Sequence, residues 1–181
     1  MPELPEVETV RRGIEARVVG RKILHVEVGR ERSVRRVGRE AVIHGLVGTT
    51  FVDARRRGKY LLSSLDSGDA VMIHLRMSGR VLVEPQGSTR PPHTHVVLQL
   101  APRGGLQEEM WFVDPRTFGE VVVYDPTREQ EVLPELARLG PDPICDHFDG
   151  AVLRQRLNGR RGAIKSLLLN QHIVAGVGNI Y

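Results

Sequence analysis

The stretch HVVLQLAPRGGLQEEMWFVDPRTFGEVVVY, residues 95–124, decides the fold class of this chain. It holds three short runs rich in valine, leucine and aromatic residues, and Pro102-Arg103-Gly104-Gly105 separates the first two. Short apolar runs bounded by glycine and proline are typical of strands joined by turns. The same texture extends back to Lys22. We therefore predict an antiparallel sandwich or barrel rather than a wound α/β sheet.

Strands are predicted throughout this region, and helices are predicted on either side of it. The strands are Ile23–Val28, Thr49–Ala54, Tyr60–Leu65, Ala70–Leu75, Arg80–Val83, His95–Leu100, Met110–Val113 and Glu120–Tyr124. Apolar residues three and four positions apart predict a first helix from Pro5 to about Gly20. Further helices are predicted at Arg128–Leu139, Ala151–Leu157 and Ile164–Leu169. The fold class is therefore α+β, with an N-terminal helix and antiparallel β-sandwich over residues 1–127 and an all-α part over residues 128–181.

The composition is that of an ordinary globular protein and excludes several other classes. Of the 181 residues, 40% are hydrophobic and 27% are charged, which argues against a disordered or fibrous chain. No apolar run approaches the ~18 residues of a membrane span, and the N-terminus lacks the features of a secretion signal. The single cysteine, Cys145, cannot form an internal disulfide, which suits a reducing, cytoplasmic location.

Arginine-rich segments and a group of histidines are the first candidates for ligand binding. The net charge is only +4, but arginines cluster within residues 30–39 and at residues 55–57. Such clusters suit DNA phosphates, although a solvated surface is the simpler explanation of either segment alone. His74, His93 and His95 have no carboxylate or cysteine spaced to complete a metal site. We therefore expect no metal there, and treat these histidines as structural groups or phosphate contacts.

The N-terminal sequence Met1-Pro2-Glu3-Leu4-Pro5-Glu6 contains a candidate nucleophile. If Met1 is removed, Pro2 presents a secondary amine, and an α-amine with a pKa of about 8 is partly uncharged at neutral pH. Such an amine can attack the anomeric carbon of a sugar, or an aldehyde, and form an iminium ion. Glu3 and Glu6 are close enough to act as acid, base or anchor. The alternative is a frayed terminus that leads into a capped helix.

Five motifs follow one another along the chain. They are Met1-Pro-Glu-Leu-Pro-Glu-Val-Glu8, Gly58-Lys-Tyr-Leu-Leu62, His74-Leu-Arg-Met-Ser-Gly79, Asp114-Pro-Arg-Thr-Phe-Gly119 and Gly176-Val-Gly-Asn-Ile-Tyr181. In this order, and spread over the whole chain, they resemble the formamidopyrimidine-DNA glycosylase family. The resemblance implies a bifunctional DNA glycosylase and abasic-site lyase. Its substrates would be oxidised purines, such as 8-oxoguanine and formamidopyrimidines, in double-stranded DNA.

The resemblance assigns catalytic roles to four residues. Pro2 would be the nucleophile that displaces the damaged base and forms a Schiff base with the opened sugar. Glu3 would be the general acid of this step, and Glu6 would help to hold the site. Lys59 matches a lysine described in the family as a proton donor in strand cleavage, and it is one of only three lysines in the chain.

The resemblance also implies a set of DNA-binding residues. A duplex hides the anomeric carbon, so the enzyme must take the damaged nucleotide out of the stack. Met77, Arg116 and Phe118 would then fill the hole, as a flexible apolar side chain, a flat cation and an aromatic wedge. Core packing is the alternative for Met77 and Phe118. Phosphate contacts are implied for His74, His93, Arg116, Arg160 and Asn179.

Two features depart from the family's pattern. Thr117 stands where many relatives carry a second basic residue, so we expect one DNA contact fewer. Relatives continue through the rest of a helix–two-turn–helix module to a four-cysteine zinc finger, whereas this chain has one cysteine and ends at Tyr181. We therefore expect an incomplete helix–two-turn–helix module over residues 128–181 of a truncated chain. We expect it to bind no zinc and no other cofactor.

Three functions stay open from the sequence alone. The first is the bifunctional repair enzyme, acting as a monomer. The second is a DNA-binding fragment without turnover, because the missing part would weaken the grip on DNA. The third is an enzyme whose substrates are oxidised pyrimidines, as in the endonuclease VIII branch.

Overall fold

The structure, a computed structural model, describes residues 2–181 and contains two four-stranded antiparallel sheets. In chain order the strands are β1 (Ile23–Val28), β2 (Arg55–Arg57), β3 (Tyr60–Ser64), β4 (Ala70–His74), β5 (Arg80–Pro85), β6 (Thr94–Leu100), β7 (Glu108–Val113) and β8 (Glu120–Tyr124). One sheet has the strand order β1-β6-β7-β5, and the other has the order β2-β3-β4-β8. The predicted α+β class with an antiparallel sandwich is confirmed.

Apolar side chains from both sheets fill the space between them. Val96, Leu98 and Phe112 of the first sheet are buried in the same cluster as Val71 and Ile73 of the second. Successive side chains of a strand point to opposite faces. The intervening residues of the second sheet are therefore directed away from this core.

The helices are α1 (Leu4–Arg17), α2 (Arg39–Leu46), α3 (Glu129–Val132), α4 (Pro134–Ala137), α5 (Gly150–Leu157) and α6 (Ile164–Leu168). The C-terminal part of the chain packs on the outer face of the second sheet. There Met72 and Val122 form a buried cluster with Leu133, Leu136 and Ala175. This packing brings the chain beyond α6 to the sheet that carries β3 and β4. No helix of residues 2–181 is both long and apolar enough to cross a bilayer.

The strand predicted at Thr49–Ala54 is wrong. This segment makes only isolated bridges, between Thr50 and Lys22 and between Phe51 and Leu65, and the regular strand β2 begins at Arg55. The Asp53 side chain accepts the Ser64 N–H at 2.8 Å, so a side-chain bond takes the place of a ladder bond.

The structure differs from the predicted helices in two places. It contains a helix that the sequence analysis does not predict, α2, which packs against β1 and β8 and buries Val42 and Leu46. The single helix predicted at Arg128–Leu139 is instead a 3-10 turn, Pro126–Arg128, followed by α3 and α4. Pro134 has no N–H, and the preceding residue, Leu133, is non-helical with φ −129° and ψ 59°.

Candidate active site and DNA interface

A cavity of about 370 Å³ lies where the start of β3 and the end of β4 meet the chain beyond α6. Its lining residues are Pro2, Lys59, Tyr60, His74, Arg76, Met77, Leu169, Gln171, Val177 and Asn179. Five of them, Pro2, Lys59, His74, Met77 and Asn179, are site residues predicted from the sequence. The fold thus gathers residues from both ends of the chain around one space.

Glu3 joins the two ends of the chain. Its side chain is buried, and its carboxylate accepts N–H bonds from Asn179 at 2.8 Å, Ile180 at 3.0 Å and Tyr181 at 2.9 Å. These bonds, with that from Tyr181 the largest cause, hold the pKa of Glu3 below its usual value. Glu3 is therefore an anchor that stays ionised at neutral pH. This state favours a base or a charge stabiliser over the general acid that the resemblance implies.

The glycines after α6 make this anchor possible. A Cβ at position 178 would lie 2.1 Å from Glu3 Oε2, so only glycine fits beside the carboxylate. Gly176 has φ +92°, and a Cβ there would lie 2.5 Å from Leu4 Cδ1. The Gly176-Val177-Gly178 motif thus serves close packing against the N-terminal segment.

Glu6 holds the start of α1 and lies outside the cavity. Its Oε2 accepts the Glu3 N–H at 3.0 Å, which satisfies a donor at the beginning of the helix. Glu6 also lines a neighbouring apolar groove together with Pro2, Val10, Val81 and Leu82. Its position suits the supporting role predicted from the sequence.

Lys59 lines the cavity directly after a tightly held glycine. Burial lowers the pKa of Lys59, and the charge of Glu3 only partly opposes that shift. The Gly58 N–H donates to Asp142 Oδ2 at 2.9 Å, and the Gly58 carbonyl accepts from Arg56 Nη1 at 2.7 Å. An ammonium group with a lowered pKa gives up its proton more readily, so Lys59 suits proton transfer.

His74 is a neutral hydrogen-bond donor in this site. Its ring meets that of Tyr60 edge-on, with centroids 4.3 Å apart, and its Nδ1 accepts the Arg76 N–H at 2.9 Å. Burial, assisted by the charges of Arg76 and Lys59, lowers the pKa of His74 to about 3. With Nδ1 occupied as an acceptor, the proton is assigned to Nε2, which can donate to a phosphate oxygen.

Met77, Arg116 and Phe118 lie on two exposed loops, residues 75–79 and 115–119. Met77 is 40% exposed and Phe118 is 39% exposed, so core packing does not explain them. The Arg116 guanidinium carbon lies 5.1 Å from the centroid of the Phe118 ring. All three side chains are available to a ligand, as the prediction that they fill the space left by an extruded nucleotide requires.

His93 and Arg160 are exposed but do not line the cavity.

Among residues 2–181, the non-glycine residues with positive φ are Arg76 at 52°, His93 at 67° and Thr117 at 56°. Two of the three are immediate neighbours of residues predicted to contact DNA, and His93 is itself such a residue. Strained backbone of this kind persists only where surrounding contacts enforce it, and it often accompanies functional sites. Thr117, in place of a basic residue, is buried.

The arginine-rich segments are only partly available to phosphates. Arg35 and Arg36 both pair with the buried carboxylate of Glu120, at 2.5 and 2.9 Å. Arg56 is buried and pairs with Asp142 at 2.6 Å and with Glu8 at 3.3 Å. These three arginines are structural, which neither the phosphate nor the solvated-surface interpretation anticipated.

Sequence reasoning missed several lining residues. Tyr60 faces His74 across the β3–β4 pair, and Arg76 fixes the His74 tautomer; both lie inside motifs that the sequence displays. Gln171 holds the loop after α6: its Nε2 donates to the carbonyls of Leu169 and Val177, both at 3.0 Å, and its Oε1 accepts the Gly176 N–H at 2.8 Å. No sequence signal identifies Gln171.

The residues present do not fit a zinc finger. The chain has one cysteine, and within residues 2–181 no group of three or more histidine, cysteine, aspartate or glutamate side chains is arranged to hold a metal ion. No chemical step is therefore assigned to a metal here.

Comparison with known families gives two matches along the chain. The formamidopyrimidine-DNA glycosylase N-terminal domain matches residues 1–121, and the formamidopyrimidine-DNA glycosylase H2TH domain matches residues 139–181. The formamidopyrimidine-DNA glycosylase of Salinispora arenicola is 45% identical over 183 residues, which cover all of this chain and 62% of that protein.

Solved structures agree in fold. A Lactococcus lactis formamidopyrimidine-DNA glycosylase bound non-covalently to DNA with an abasic site has a TM-score of 0.87 and 35% identity, over 99% of this chain and 66% of that one. MutM in complex with DNA containing carbocyclic 8-oxoguanine has a TM-score of 0.88 and 35% identity, with the same coverage. The chain thus spans about two thirds of the length of these proteins.

Proposed function

Because this chain belongs to the formamidopyrimidine-DNA glycosylase family, we propose that it acts in base-excision repair of DNA. It removes oxidised purines, such as 8-oxoguanine and formamidopyrimidines, from double-stranded DNA and cleaves the resulting abasic site. The observation that carries the proposal is that Pro2, Lys59 and His74 line one cavity. The chemistry uses only groups of the chain, so it needs no cofactor. A cytoplasmic monomer with access to the chromosome suits this substrate.

The first step belongs to Pro2. With Met1 removed, the lone pair of its amine attacks the anomeric carbon, and the bond to the damaged base breaks with its electron pair going to the base. The amine loses its proton to a base, and the sugar ring opens as its oxygen takes up a proton. An iminium ion between Pro2 and the sugar results. A base then removes a proton from C2′ of the sugar, the C2′–C3′ double bond forms, and the 3′ phosphate leaves with the electron pair of the C3′–O bond (β-elimination); a second elimination of the same kind releases the 5′ phosphate.

Proton transfer and charge stabilisation belong to Lys59 and Glu3. The lowered pKa of Lys59 suits a group that gives a proton to the sugar oxygen or to the leaving base. The ionised Glu3 carboxylate, held next to Pro2 in the chain, favours the cationic iminium. The general-acid role of Glu3 stays a prediction.

The remaining predicted residues hold the DNA. Nε2 of the neutral His74 donates to a backbone phosphate, and the side chain of Asn179, which lines the same cavity, does the same. Met77, Arg116 and Phe118 occupy the space left by the extruded nucleotide. His93 and Arg160 extend the phosphate contacts beyond the cavity.

Borohydride trapping on a duplex with an abasic site tests the proposal. The Met1-processed chain is expected to form a covalent adduct, and Pro2→Gly is expected to abolish it. Pro102→Gly, in an exposed loop between β6 and β7, is the matched control and should trap normally. Excision from 8-oxoguanine:C and from thymine-glycol duplexes then separates the purine from the pyrimidine specificity. A folded, processed chain that binds the duplex without forming an adduct would identify a DNA-binding fragment instead.

A further inference from the structure

We propose that Asp114 and Ser78 are positioning residues that hold Met77, Arg116 and Phe118 in one arrangement before DNA is bound. This inference rests on the proposed function, because it concerns how the lesion site is filled. Neither residue lines the cavity, and no step of the proposed chemistry uses them.

Asp114 is completely buried, yet all its acceptor atoms are occupied. Oδ1 accepts the Ser78 hydroxyl at 2.5 Å and the Arg116 N–H at 3.2 Å, and Oδ2 accepts the Gly119 N–H at 2.7 Å. Its backbone carbonyl contacts His95 Nε2 at 2.8 Å and accepts the Thr117 N–H at 3.2 Å. A buried carboxylate is costly unless its hydrogen bonds are made, so these bonds fix the chain around it.

Ser78 makes the network a link between two loops. Its hydroxyl donates to Asp114, and its oxygen also lies 3.2 Å from the Arg116 N–H. The loop that carries Met77 is thereby tied to the loop that carries Arg116 and Phe118. An apolar side chain at position 78 could not replace this link, because the groups that face it are a buried carboxylate oxygen of Asp114 and the backbone N–H of Arg116.

Two glycines allow close packing, one within the first loop and one where the second loop meets β4 and β7. A Cβ at Gly79 would lie 2.5 Å from the Leu75 carbonyl oxygen. A Cβ at Gly119 would lie 2.6 Å from Phe112 Cζ and 3.0 Å from the His74 carbonyl oxygen. The left-handed residues Arg76 and Thr117 lie within these same loops, and their strain requires such support.

This rigidity has a function in the proposed reaction. Three side chains must enter one gap in the base stack together, and ordering them only on binding would cost conformational entropy. An arrangement fixed in the free protein avoids that cost. Asp114 and Ser78 therefore act by positioning Met77, Arg116 and Phe118, and do not act on the substrate directly.

The test uses Ser78→Ala and Asp114→Asn, with Ser88→Ala and Asp69→Asn as matched controls. The side chains of Ser88 and Asp69 make no hydrogen bond among residues 2–181. The readouts are 8-oxoguanine excision from duplex DNA, fluorescence of 2-aminopurine opposite the lesion, and borohydride trapping on single-stranded abasic DNA. Ser78→Ala should slow duplex excision about five- to tenfold and weaken the 2-aminopurine signal, as expected for one lost charge-assisted bond. Single-strand trapping, which needs no wedge, should not change.

Equal duplex excision by Ser78→Ala and Ser88→Ala would overturn the inference, as would an equal loss of single-strand trapping. Hydrogen exchange in the free protein decides it independently: both loops, residues 75–79 and 115–119, should exchange faster in Ser78→Ala. Faster exchange in neither loop, or in only one, would also overturn it. If the unsubstituted chain traps no DNA, the proposed function fails, and hydrogen exchange alone then decides whether the loops are linked.

Discussion

Replacing Asp142 by alanine should weaken the fold and displace Lys59 at the same time. Asp142 is 1% exposed and connects the helical part of the chain to β2. Its carboxylate accepts from Arg56 Nη1 at 2.6 Å, from the Gly58 N–H at 2.9 Å and from the Ile144 N–H at 3.0 Å. Asp142→Ala removes all three bonds and leaves the Arg56 charge buried.

The magnitude follows from these contacts. Breaking a buried ion pair by removing one partner costs about 3–5 kcal/mol. The Gly58 and Ile144 N–H groups lose their acceptor as well, but Arg56 keeps Glu8 at 3.3 Å, which limits the loss. We therefore expect the free energy of unfolding to fall by ~3–5 kcal/mol for Asp142→Ala. Asp142→Asn keeps the size and one acceptor, so its loss should be smaller, about 2 kcal/mol.

Urea unfolding, followed by far-ultraviolet circular dichroism and by the fluorescence of Trp111, measures the effect. Glu131→Gln is the control, because it breaks an exposed ion pair with Arg128 and should leave the midpoint unchanged. Since Asp142 also fixes Gly58, Asp142→Asn should slow strand cleavage more than it weakens DNA binding. A midpoint for Asp142→Ala that equals that of Glu131→Gln would refute the reasoning.

Three further predictions follow from the site. The pKa of His74 is lowered to about 3, so as the pH falls below ~6.5 the unfolded chain binds a proton there and the native chain does not. The native state therefore loses stability as the pH falls, and His74→Gln should flatten the fall in Tm between pH 6.5 and 4. An unchanged dependence of Tm on pH would contradict this. Gly178→Ala should push Glu3 from the amides of residues 179–181 and lower both stability and trapping. Gly13→Ala, with open space at its Cβ inside α1, should instead raise stability by up to ~1 kcal/mol, and similar Tm shifts for the two variants would argue against the close approach. Arg160→Ala should lower the slope of log affinity for DNA against log salt concentration by about one. Arg36→Gln should leave that slope unchanged, because Arg36 is paired with Glu120 and Glu135. Equal slopes for the two variants would mean that Arg160 is a solvated surface residue that contacts no phosphate.

The sequence predicted the strands well because their apolar runs are short and sharply bounded. It failed at Thr49–Ala54, where the Asp53 side chain replaces a backbone bond, and at α2, a helix of only eight residues that starts at the last arginine of the segment 30–39. The break at Pro134 was visible in the sequence, since proline cannot continue a helix and constrains the residue before it.

The site residues that belong to sequence motifs could be predicted, and those that depend on tertiary contacts between distant segments could not. Pro2, Lys59, His74 and Asn179 belong to motifs, and the structure places all four around one cavity. That Arg56 is buried against Asp142, 86 residues away, depends on tertiary packing that no local pattern reveals. The same holds for Gln171, whose three bonds to the loop beyond α6 follow only from the folded path of the chain.

The most direct test of the central claim locates the covalent bond to DNA. The borohydride-reduced adduct on an abasic-site duplex is digested with protease and nuclease, and mass spectrometry identifies the modified peptide. The claim predicts that the sugar remnant is attached to the amine of Pro2, at the start of the N-terminal peptide. Attachment to Lys59, or to either of the other lysines, Lys22 and Lys165, would contradict it.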